Sequence, residues 1–448
     1  MALAASPTFL LTPAPIKQAL ATNYITSFDF TSQYLPDTYN ENFEIYGNRT
    51  IASFLRAASA ELPCSSDLIK WTEEGRLHTL YTGATKSSNL FSITGYNFRL
   101  NQTILISDGS VIEKAIITVL DSADTFTALS LENANLTALN DTGLSIYVYG
   151  SEFTKGDNGM QGSLEADATH RSTKPIIIKE RYSVNGSDMA QVGWVEVSTE
   201  GGGSGYLWYL QSQHETRLRF DDYLEMSMVE GVNPTTVASS AAASAAKGTE
   251  GLFDAVTNRG NIFNGVMSAK ADFDSVLKRL DKQGSILENM FFADRDQNLA
   301  IDDFLATQNS MGAGGTSYGA FNNSEKMALN LGFYGFSRGS YEFYKTDWKY
   351  LNDATTRGSI EGTGKIRAVV VPSGTKTVYD QVLGKKIRQP FLHVKYRKSA
   401  TEDRKYKTWI TGSAGGANTS DLDAMEVHFL SERALVCIGA NNFVLVQD

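Results

Sequence analysis

The residue patterns most able to support catalysis are few, and each lacks part of its usual context. Gly335-Phe-Ser337-Arg-Gly339 matches the G-x-S-x-G pattern, in which a serine nucleophile occupies a sharp strand-to-helix turn. A hydrolase also needs an acid and a histidine later in the chain, for which Asp380 and either His393 or His428 are the candidates. The sequence lacks the regular alternation of strands and helices of a hydrolase sheet, so a serine hydrolase is only a remote alternative.

Metal-binding patterns are also incomplete. Asp294, Asp296 and Asn298 match the opening of an EF-hand loop, but Leu299 stands where that loop needs glycine and Leu305 where it needs glutamate. We therefore expect these side chains to cap or solvate the helix that follows. The histidines and the two cysteines lack the spacing of a zinc site. Neither a metal nor another cofactor is expected.

Two basic stretches interleave lysine and arginine with tyrosine, at Lys395–Lys398 and Arg404–Lys407. Contact with nucleic acid is one interpretation, but Glu402 and Asp403 lie beside them. A solvated strand edge or a subunit contact is the alternative that we favour. The whole chain has 40 Lys and Arg against 50 Asp and Glu, a net charge of −10, which argues against binding nucleic acid with the whole surface.

Length and composition are those of a globular protein with several domains, since 42% of the 448 residues are hydrophobic and 20% are charged. Residues 1–20 lack a basic start and contain Pro7, Pro13 and Pro15, so a secretory signal is not expected. No apolar run approaches the roughly 20 residues of a membrane span, so no membrane partner is expected.

The pattern along the chain predicts an α+β protein. Residues 1–60 are expected to form an extended arm, and 61–150 a small β-rich barrel or sandwich of short β-branched strands. Two extended runs, 175–184 and 190–197, are joined by Asn185-Gly186, the strongest short signal for a β-hairpin. The region 151–200 is therefore predicted to contain a long two-stranded ribbon.

One long helix is predicted at Tyr206–Glu230, with Ser204 as its N-cap and Gly231 and Pro234 at its end. The Ala/Ser-rich stretch 235–247 suits either a helix or a loop. Further helices are predicted at Phe273–Leu280, ending at Gly284, and at Ala300–Gln308. The later strands are expected at Ile366–Val371, Pro390–Tyr396, Met425–Leu430, Ala434–Ile438 and Asn442–Val446.

From about residue 150 onward, this order of elements resembles the major capsid proteins of tailed bacteriophages, which have the Hong Kong 97-like fold. The stretches that carry the resemblance are Ile178–Ser187, similar to the extended loop (E-loop); Tyr206–Gly231, similar to the spine helix of the peripheral (P) domain; Gly251–Val256, similar to the entry to the axial (A) domain; and Ser420–Val446, similar to the closing strands of the P domain. Ser285–Phe304 and Lys345–Asp353 also resemble segments of capsid proteins of crAss-like phages.

The resemblance implies a domain order: an N-terminal arm at 1–60, a β-rich insertion at 61–150, the E-loop hairpin at 151–200, the P domain with its spine helix at 201–250, the A domain at 251–395 and the closing P-domain strands at 396–448. It also implies that E-loop residues make subunit contacts, namely Ile178, Arg181, Tyr182, Asn185, Gly186 and Trp194. The role implied is structural, not enzymatic.

The implied function is self-assembly into hexamers and pentamers of an icosahedral virion shell around double-stranded DNA, formed in the host bacterial cytoplasm. The implied partners are other copies of the chain and other capsid, auxiliary, portal and scaffolding proteins. An acidic shell suits packaged DNA with at most weak contacts. Deleting Ile176–Val197 is expected to block assembly and leave a folded subunit. The alternative is another virion structural protein, of the tail or associated with the portal.

Overall fold

The computed structural model describes residues 51–133, 135–190, 197–198, 204–205, 208–233, 248–284, 286–308, 335–380, 385–416 and 418–448. The chain forms two compact units, which we describe separately. The main unit contains the described residues up to Lys70 and those from Ser172 to Asp448. The inserted unit is Trp71–Arg171.

The helices are short except for one that is about 35 Å long at 1.5 Å per residue. They are α1 (Phe54–Ala58), α2 (Gly186–Met189), α3 (Trp208–Glu230), α4 (Leu252–Arg259), α5 (Lys270–Gln283), α6 (Arg295–Gln308) and α7 (Lys349–Asn352), with 3₁₀ turns at Arg357–Ser359 and Ala440–Asn442. Within the described residues, no helix is both long and apolar enough to cross a membrane.

The strands up to the long helix are β1 (Ala60–Cys64), β2 (Ile69–Glu74), β3 (Leu80–Ser87), β4 (Leu90–Ser92), β5 (Gln102–Ser107), β6 (Ile112–Leu120), β7 (Thr125–Ser130), β8 (Leu144–Ser151), β9 (Ala168–Thr173), β10 (Ile176–Asn185), β11 (Val197–Ser198) and β12 (Ser204–Gly205). The later strands are β13 (Asn261–Asn264), β14 (Glu288–Ala293), β15 (Gly335–Arg338), β16 (Tyr341–Asp347), β17 (Ile366–Pro372), β18 (Thr375–Asp380), β19 (Lys385–Pro390), β20 (Leu392–Arg397), β21 (Lys407–Gly412), β22 (Ala424–Cys437) and β23 (Val444–Gln447).

A five-stranded sheet of the main unit joins strands from distant parts of the chain. Its order is β1-β20-β22-β10, and β21 also pairs with β22. The antiparallel register of β10 with β22 covers all ten residues of β10. Helix α3 packs on this sheet because Phe220 and Leu224 share a buried apolar cluster with Val184 of β10 and Val427 of β22.

A six-stranded mixed sheet of order β13-β23-β17-β14-β16-β15 forms the rest of the main unit. Residues alternate between the two faces of a strand, and in β17 both faces are buried. Val369 and Val371 face a core shared with α1, α3, α4 and the five-stranded sheet. Ala368 and Val370 face a second core, to which α5 and α6 contribute. The two sheets therefore share one core inside a single compact unit.

The inserted unit is a closed barrel of order β3-β4-β7-β6-β5-β8, so the barrel and not the sandwich is the architecture found. Its interior is filled by alternate residues of each strand, among them Phe91, Ile104, Ile117, Phe126 and Ile146. Strands β2 and β9, where the chain enters and leaves the unit, pair with each other. The compact unit runs from Trp71 to Arg171, whereas the predicted insertion spans 61–150.

Several predicted boundaries differ from the structure. The last ten residues of the predicted arm contain α1 and the start of β1, and Phe54 is buried in the main core; residues 1–50 lie outside the described part. Ser204 does not cap the long helix, because it pairs with Ser198 in a short ladder and α3 begins at Trp208. The final strand β23 pairs with β13 and β17, so it belongs to the six-stranded sheet and not with β22.

The two strands predicted within Met425–Ile438 are one continuous strand, β22. The polar interruption Ser431-Glu432-Arg433 remains in the strand because neighbouring groups bind it. The Glu432 carboxylate lies 2.8 Å from Arg404, and the Arg433 guanidinium donates to the Ser431 hydroxyl at 2.9 Å and to the Lys405 carbonyl at 3.2 Å. Buried polar groups that find such partners do not break a strand.

Candidate assembly site

The predicted interface residues of strand β10 are divided between the two faces of the sheet. Ile178 and Tyr182 are half-buried and pack against the apolar clusters between the sheet and α3. Arg181 lies on the opposite face, where its side chain is 61% exposed. The structure thus gives Ile178 and Tyr182 a place in the packing of the subunit itself and leaves Arg181 accessible. Their role in contacts between subunits stays a prediction.

The predicted two-residue hairpin turn at Asn185-Gly186 is wrong. Gly186 begins the short helix α2, and its backbone N–H donates to the carbonyl of Asp423 at 3.2 Å. Strand β10 pairs along its whole length with β22, a strand far along the chain. Trp194 lies outside the described residues, as does most of the predicted second strand.

Three strands bring polar and aromatic side chains together on the accessible face of the sheet. The register places Arg181, His428 and Trp409 side by side on β10, β22 and β21. The ring centroids of Trp409 and His428 are 5.1 Å apart in a stacked arrangement. Arg181 Nη1 lies 3.0 Å from Glu426 Oε1, and Thr411 Oγ1 lies 2.7 Å from His428 Nε2. We call these residues the outer-face cluster: Arg181, Trp409, Thr411, Glu426 and His428.

The outer-face cluster has the geometry of a contact surface and not of a catalytic triad. In a triad, the nucleophile and the acid bind opposite nitrogens of the imidazole. Here Thr411 and Glu426 both face Nε2 of His428, at 2.7 Å and 3.6 Å. Tryptophan and arginine are the residue types most enriched among the energetic centres of protein interfaces. The arrangement therefore suits recognition of another protein surface.

Sequence reasoning missed most of this cluster and considered His428 only as part of a hydrolase. The available signal was the alternation of polar and apolar residues in β22, where Glu426 and His428 lie between buried Met425, Val427 and Phe429. That alternation indicates one polar face of a strand. It could not indicate which strands lie on either side, because this depends on the register of the folded sheet.

A second feature of the main unit is the attachment of residues 51–55 to the long helix, which we call the arm anchor. Asp222 Oδ1 accepts hydrogen bonds from the backbone N–H groups of Ile51 at 2.9 Å and Ala52 at 3.1 Å. The buried Glu225 carboxylate accepts those of Phe54 at 3.2 Å and Leu55 at 3.3 Å. Two carboxylates of α3 thus satisfy the backbone donors of the chain segment that enters the core.

Burial and hydrogen bonding act in opposite directions on these carboxylates. Burial raises the pKa of Glu225, and the N–H groups of Phe54 and Leu55 partly offset this. Burial also raises the pKa of Asp221, which lies beside the arm anchor, and the positive charge of Arg217 partly offsets this. The arm anchor is therefore a polar site inside an otherwise apolar contact.

A cavity of about 390 Å³ adjoins the arm anchor. Burial raises the pKa of Tyr406 to about 12 and lowers the pKa of Arg433, both of which line it. Its charged lining residues have both signs, so the cavity does not select for an ion of either sign. These charged residues are Arg56, Glu61, Asp221, Glu225, Lys405 and Arg433.

The backbone around Ser337 does not form the strand-to-helix turn that a nucleophilic serine requires. Ser337 lies within β15, opposite Glu342 of β16, and Gly339 with φ 62° leads into that strand and not into a helix. His393 is only 1% exposed and its Nδ1 donates to the Pro390 carbonyl at 3.1 Å. Burial lowers the pKa of His393 to about 4, which fits a structural histidine of the sheet. The side chain of Asp380 lies outside the described part.

The predicted capping of a helix by the EF-hand-like acidic residues is confirmed for Asp294. Its Oδ1 accepts the backbone N–H of Gln297 at 2.7 Å at the start of α6. Burial raises the pKa of Asp294, and Arg367 lies 3.7 Å from its Oδ2. In the ranges that the structure describes, no group of three or more His, Cys, Asp or Glu is placed to hold a metal ion.

The two basic stretches are neutralised by acidic side chains of the same chain. Arg397 lies 2.7 Å from Asp67, and Lys398 lies 2.9 Å from Asp403. The remaining pairs are Arg404 with Glu432, Lys405 with Glu61, and Lys407 with Glu402. This favours the interpretation as a solvated strand edge over nucleic-acid contact.

Solved structures similar to this chain include structures from phages, among them capsids. The chain is similar to the mature capsid of bacteriophage PhiM1 (8% identity, TM-score 0.42, 96% of both chains covered) and to the capsid of cyanophage P-SCSP1u (8% identity, TM-score 0.42, 93% of both chains covered). It is also similar to a structure from Gordonia phage Cozz (11% identity, TM-score 0.41, 96% of both chains covered). No protein-family model and no curated protein matches. At this low similarity, any function has to be supported by the contacts of this chain, and the narrower resemblance to crAss-like phages stays a prediction.

Proposed function

We propose that this protein is the structural subunit of a tailed-phage capsid, self-assembling into hexamers and pentamers of an icosahedral shell around double-stranded DNA. The observation that most supports the proposal is the meeting of three distant segments on helix α3. Residues 51–55 bind its carboxylates, and β10 and β22 pack against its apolar side. The resemblance implies this position for β22, because it places the closing strands in the P domain together with the spine helix.

Accessible surfaces of the subunit also support assembly. The outer-face cluster exposes an aromatic ring and an ion pair on a rigid sheet, and Ile177 on the same face of β10 is 51% exposed. Repeated contacts between such a surface and a different surface of the next copy close into rings when the rotation between copies allows it. Hexamers and pentamers are rings of this kind.

The charge distribution supports enclosure of DNA with at most weak contacts. The net charge of −10 and the internal pairing of Arg397, Lys398, Arg404, Lys405 and Lys407 leave little free positive charge in these stretches for phosphate. The further partners of the proposal are other capsid, auxiliary, portal and scaffolding proteins. Its location is the virion, after assembly in the host cytoplasm.

Electron microscopy of the full-length recombinant protein tests the proposal. Closed shells are expected on concentration of the purified chain, alone or with the phage's own scaffolding protein. Tubes or open rings would instead favour the alternative, a virion protein of the tail or portal region. Particles of neither kind under both conditions would refute a role in assembly.

A charge reversal tests the contribution of the outer-face cluster more sharply than a deletion. Removing Ile176–Val197 would take away all of β10, which pairs with β22 over its whole length, so this deletion is now expected to disturb folding as well as assembly. Arg181→Glu changes a side chain that is 61% exposed, so the subunit is expected to fold and shells are expected to be lost. Lys278→Glu, the same reversal at an exposed position of α5, is the control and should still form shells.

A further inference from the structure

The outer surface of the barrel carries apolar side chains across neighbouring strands. Four of them are exposed: Leu80 (59%), Leu129 (46%), Tyr147 (40%) and Tyr149 (48%). Two more, Leu105 and Ile116, are half-buried on the same surface. We call these residues the barrel apolar face: Leu80, Leu105, Ile116, Leu129, Tyr147 and Tyr149.

The strand registers group these residues into two patches on adjacent strands; between them, Leu105 is opposite Lys114 and Ile116 is opposite Thr103. Leu105 of β5 is opposite Tyr147 of β8, which in turn is opposite Leu80 of β3. Ile116 of β6 is opposite Leu129 of β7. Directly opposed residues of antiparallel strands lie on the same side of a sheet and contact each other. The alternate residues of the same strands fill the barrel interior, among them Ile104, Ile117 and Ile146.

This exposure is concentrated in one part of the protein. More than half of the large apolar side chains that are exposed in the described residues belong to the inserted unit, which is less than a third of those residues. Exposed apolar patches concentrated on one folded unit commonly mark a docking site for another chain segment.

Charge distinguishes between the possible occupants of the barrel apolar face. The inserted unit contains twelve Asp and Glu against six Lys and Arg, a net charge of −6, so two barrels placed face to face would repel. Residues 1–28 have a single charged side chain, the positive Lys17, and are rich in apolar residues such as Phe9, Leu10, Leu11 and Ile25. An apolar, slightly basic segment suits an acidic barrel with an apolar face.

We propose that residues 1–28 of one copy dock on the barrel apolar face of a neighbouring copy; this rests on the proposed assembly. The arm anchor fixes Ile51 in the main unit. The 23 residues from Phe28 to Ile51 can extend up to about 80 Å. A compact unit of this size has a radius of gyration of about 20 Å, so the segment can reach beyond its own subunit.

Photo-cross-linking within assembled shells of the full chain tests this docking. The variant Tyr147→p-benzoylphenylalanine is assembled from equal amounts of nitrogen-15-labelled and unlabelled protein, and cross-linked peptides are identified by mass spectrometry. Cross-links from position 147 to residues 1–28 are expected, with both isotopes in one pair. The matched control is Ser92→p-benzoylphenylalanine, at an exposed position of β4, where the yield of these cross-links should be at least tenfold lower.

Each of the other possible outcomes contradicts a specific part of the proposal. Cross-links to residues 1–28 that never combine the two isotopes would show docking within one chain. Cross-links to a second barrel or to the main unit would show that another surface occupies the barrel apolar face. Shells without any cross-link from position 147 would show that the face is uncovered. Each of these outcomes, including docking within one chain, refutes the proposed docking. If wild-type protein forms no shells by electron microscopy, the proposed assembly fails first.

Discussion

The carboxylate of Glu225, in the last third of helix α3, accepts the backbone N–H of Phe54, at 3.2 Å, across 171 residues of sequence. Phe54 is the first residue of α1, and the first N–H groups of any helix have no acceptor inside it. The Phe54 ring stacks on Trp348, with 4.3 Å between centroids, and meets Phe292 edge-on at 4.6 Å. One residue pair thus joins the start of the described chain to the long helix and to the main core.

Removing the Glu225 carboxylate is expected to destabilise the main unit. Glu225→Ala leaves the buried N–H groups of Phe54 and Leu55 without this acceptor, and an unsatisfied buried donor costs about 1–3 kcal/mol. The free energy of unfolding, measured by urea denaturation of the unassembled subunit, should fall by that amount or more. Arg219→Gln, at an exposed position of the same helix, is the control and should change it by less than about 0.5 kcal/mol. An equal effect of both variants would contradict the arm anchor.

Gly412 should not tolerate a side chain. It has φ 122°, and an added Cβ would lie 1.8 Å from the carbonyl oxygen of Ala424 on the paired strand β22. Gly412→Ala is therefore expected to separate the end of β21 from β22 and to lower the melting temperature strongly. Gly416→Ala is the matched control, with φ 86° but open space around the added Cβ, and should cost only about 1–2 kcal/mol of backbone strain. The prediction fails if the two variants melt alike.

His393 is expected to make stability depend on pH. Burial lowers its pKa in the folded protein to about 4, from 6.5, so the unfolded chain binds a proton at a pH where the folded chain does not. Its contribution is present above about pH 6.5 and is lost as the pH falls towards 4, up to about 3 kcal/mol. In urea titrations between pH 7 and 4, His393→Gln should reduce the loss of stability. His78→Gln replaces an exposed histidine and is the matched control, which should leave the pH dependence unchanged. The same dependence of the unfolding free energy on pH in His393→Gln as in the wild type would count against the prediction.

The end of α3 is joined to the 3₁₀ turn at Arg357 by an ion pair that should contribute measurably. Arg357 Nη1 lies 2.7 Å from both carboxylate oxygens of Glu230, the Tyr350 hydroxyl donates to Glu230 at 2.7 Å, and the Arg357 guanidinium lies over the Phe253 ring. A double-mutant cycle of Glu230→Gln and Arg357→Gln is expected to give a coupling energy of about 1 kcal/mol.

The control for this cycle is the pair of Lys398 and Asp403. Its two atoms lie 2.9 Å apart, but both side chains are almost half exposed, at 45% and 46%. Its coupling should stay below about 0.5 kcal/mol and should fall further at high salt, because solvent screens exposed charges. Equal coupling in the two cycles would show that burial of the first pair is irrelevant.

Features that depend on neighbours in sequence could be predicted. Helix α5 contains the predicted apolar stripe of Phe273 to Leu280 and ends where Gly284 takes φ 68°. Asp294 caps α6 as its position before a helical pattern indicated. The alternating runs between Thr103 and Tyr149 become strands of a barrel. In each case the signal is a period, a cap or a turn residue, which acts over a few residues.

Features that depend on distant partners were decided by the tertiary structure. Asn185-Gly186 is a hairpin signal by itself, yet Gly186 begins α2. The ten residues before it pair with the distant β22, which together with α3 offers a buried surface. The polar residues Ser431-Glu432-Arg433 predict an interruption between two strands. In the structure they remain inside β22, because Arg404 and the Lys405 carbonyl bind their side chains.

The sequence by itself determined the α+β class, the long helix and the alternation that puts Glu426 and His428 on one face of their strand. Only the tertiary structure decided that Arg181 meets these two residues, that Glu225 holds Phe54, and that the predicted interface residues Ile178 and Tyr182 belong to the subunit's own packing. The physical reason is that the period of a strand is local, whereas its register and its partners are set by the burial of surfaces far apart in the chain.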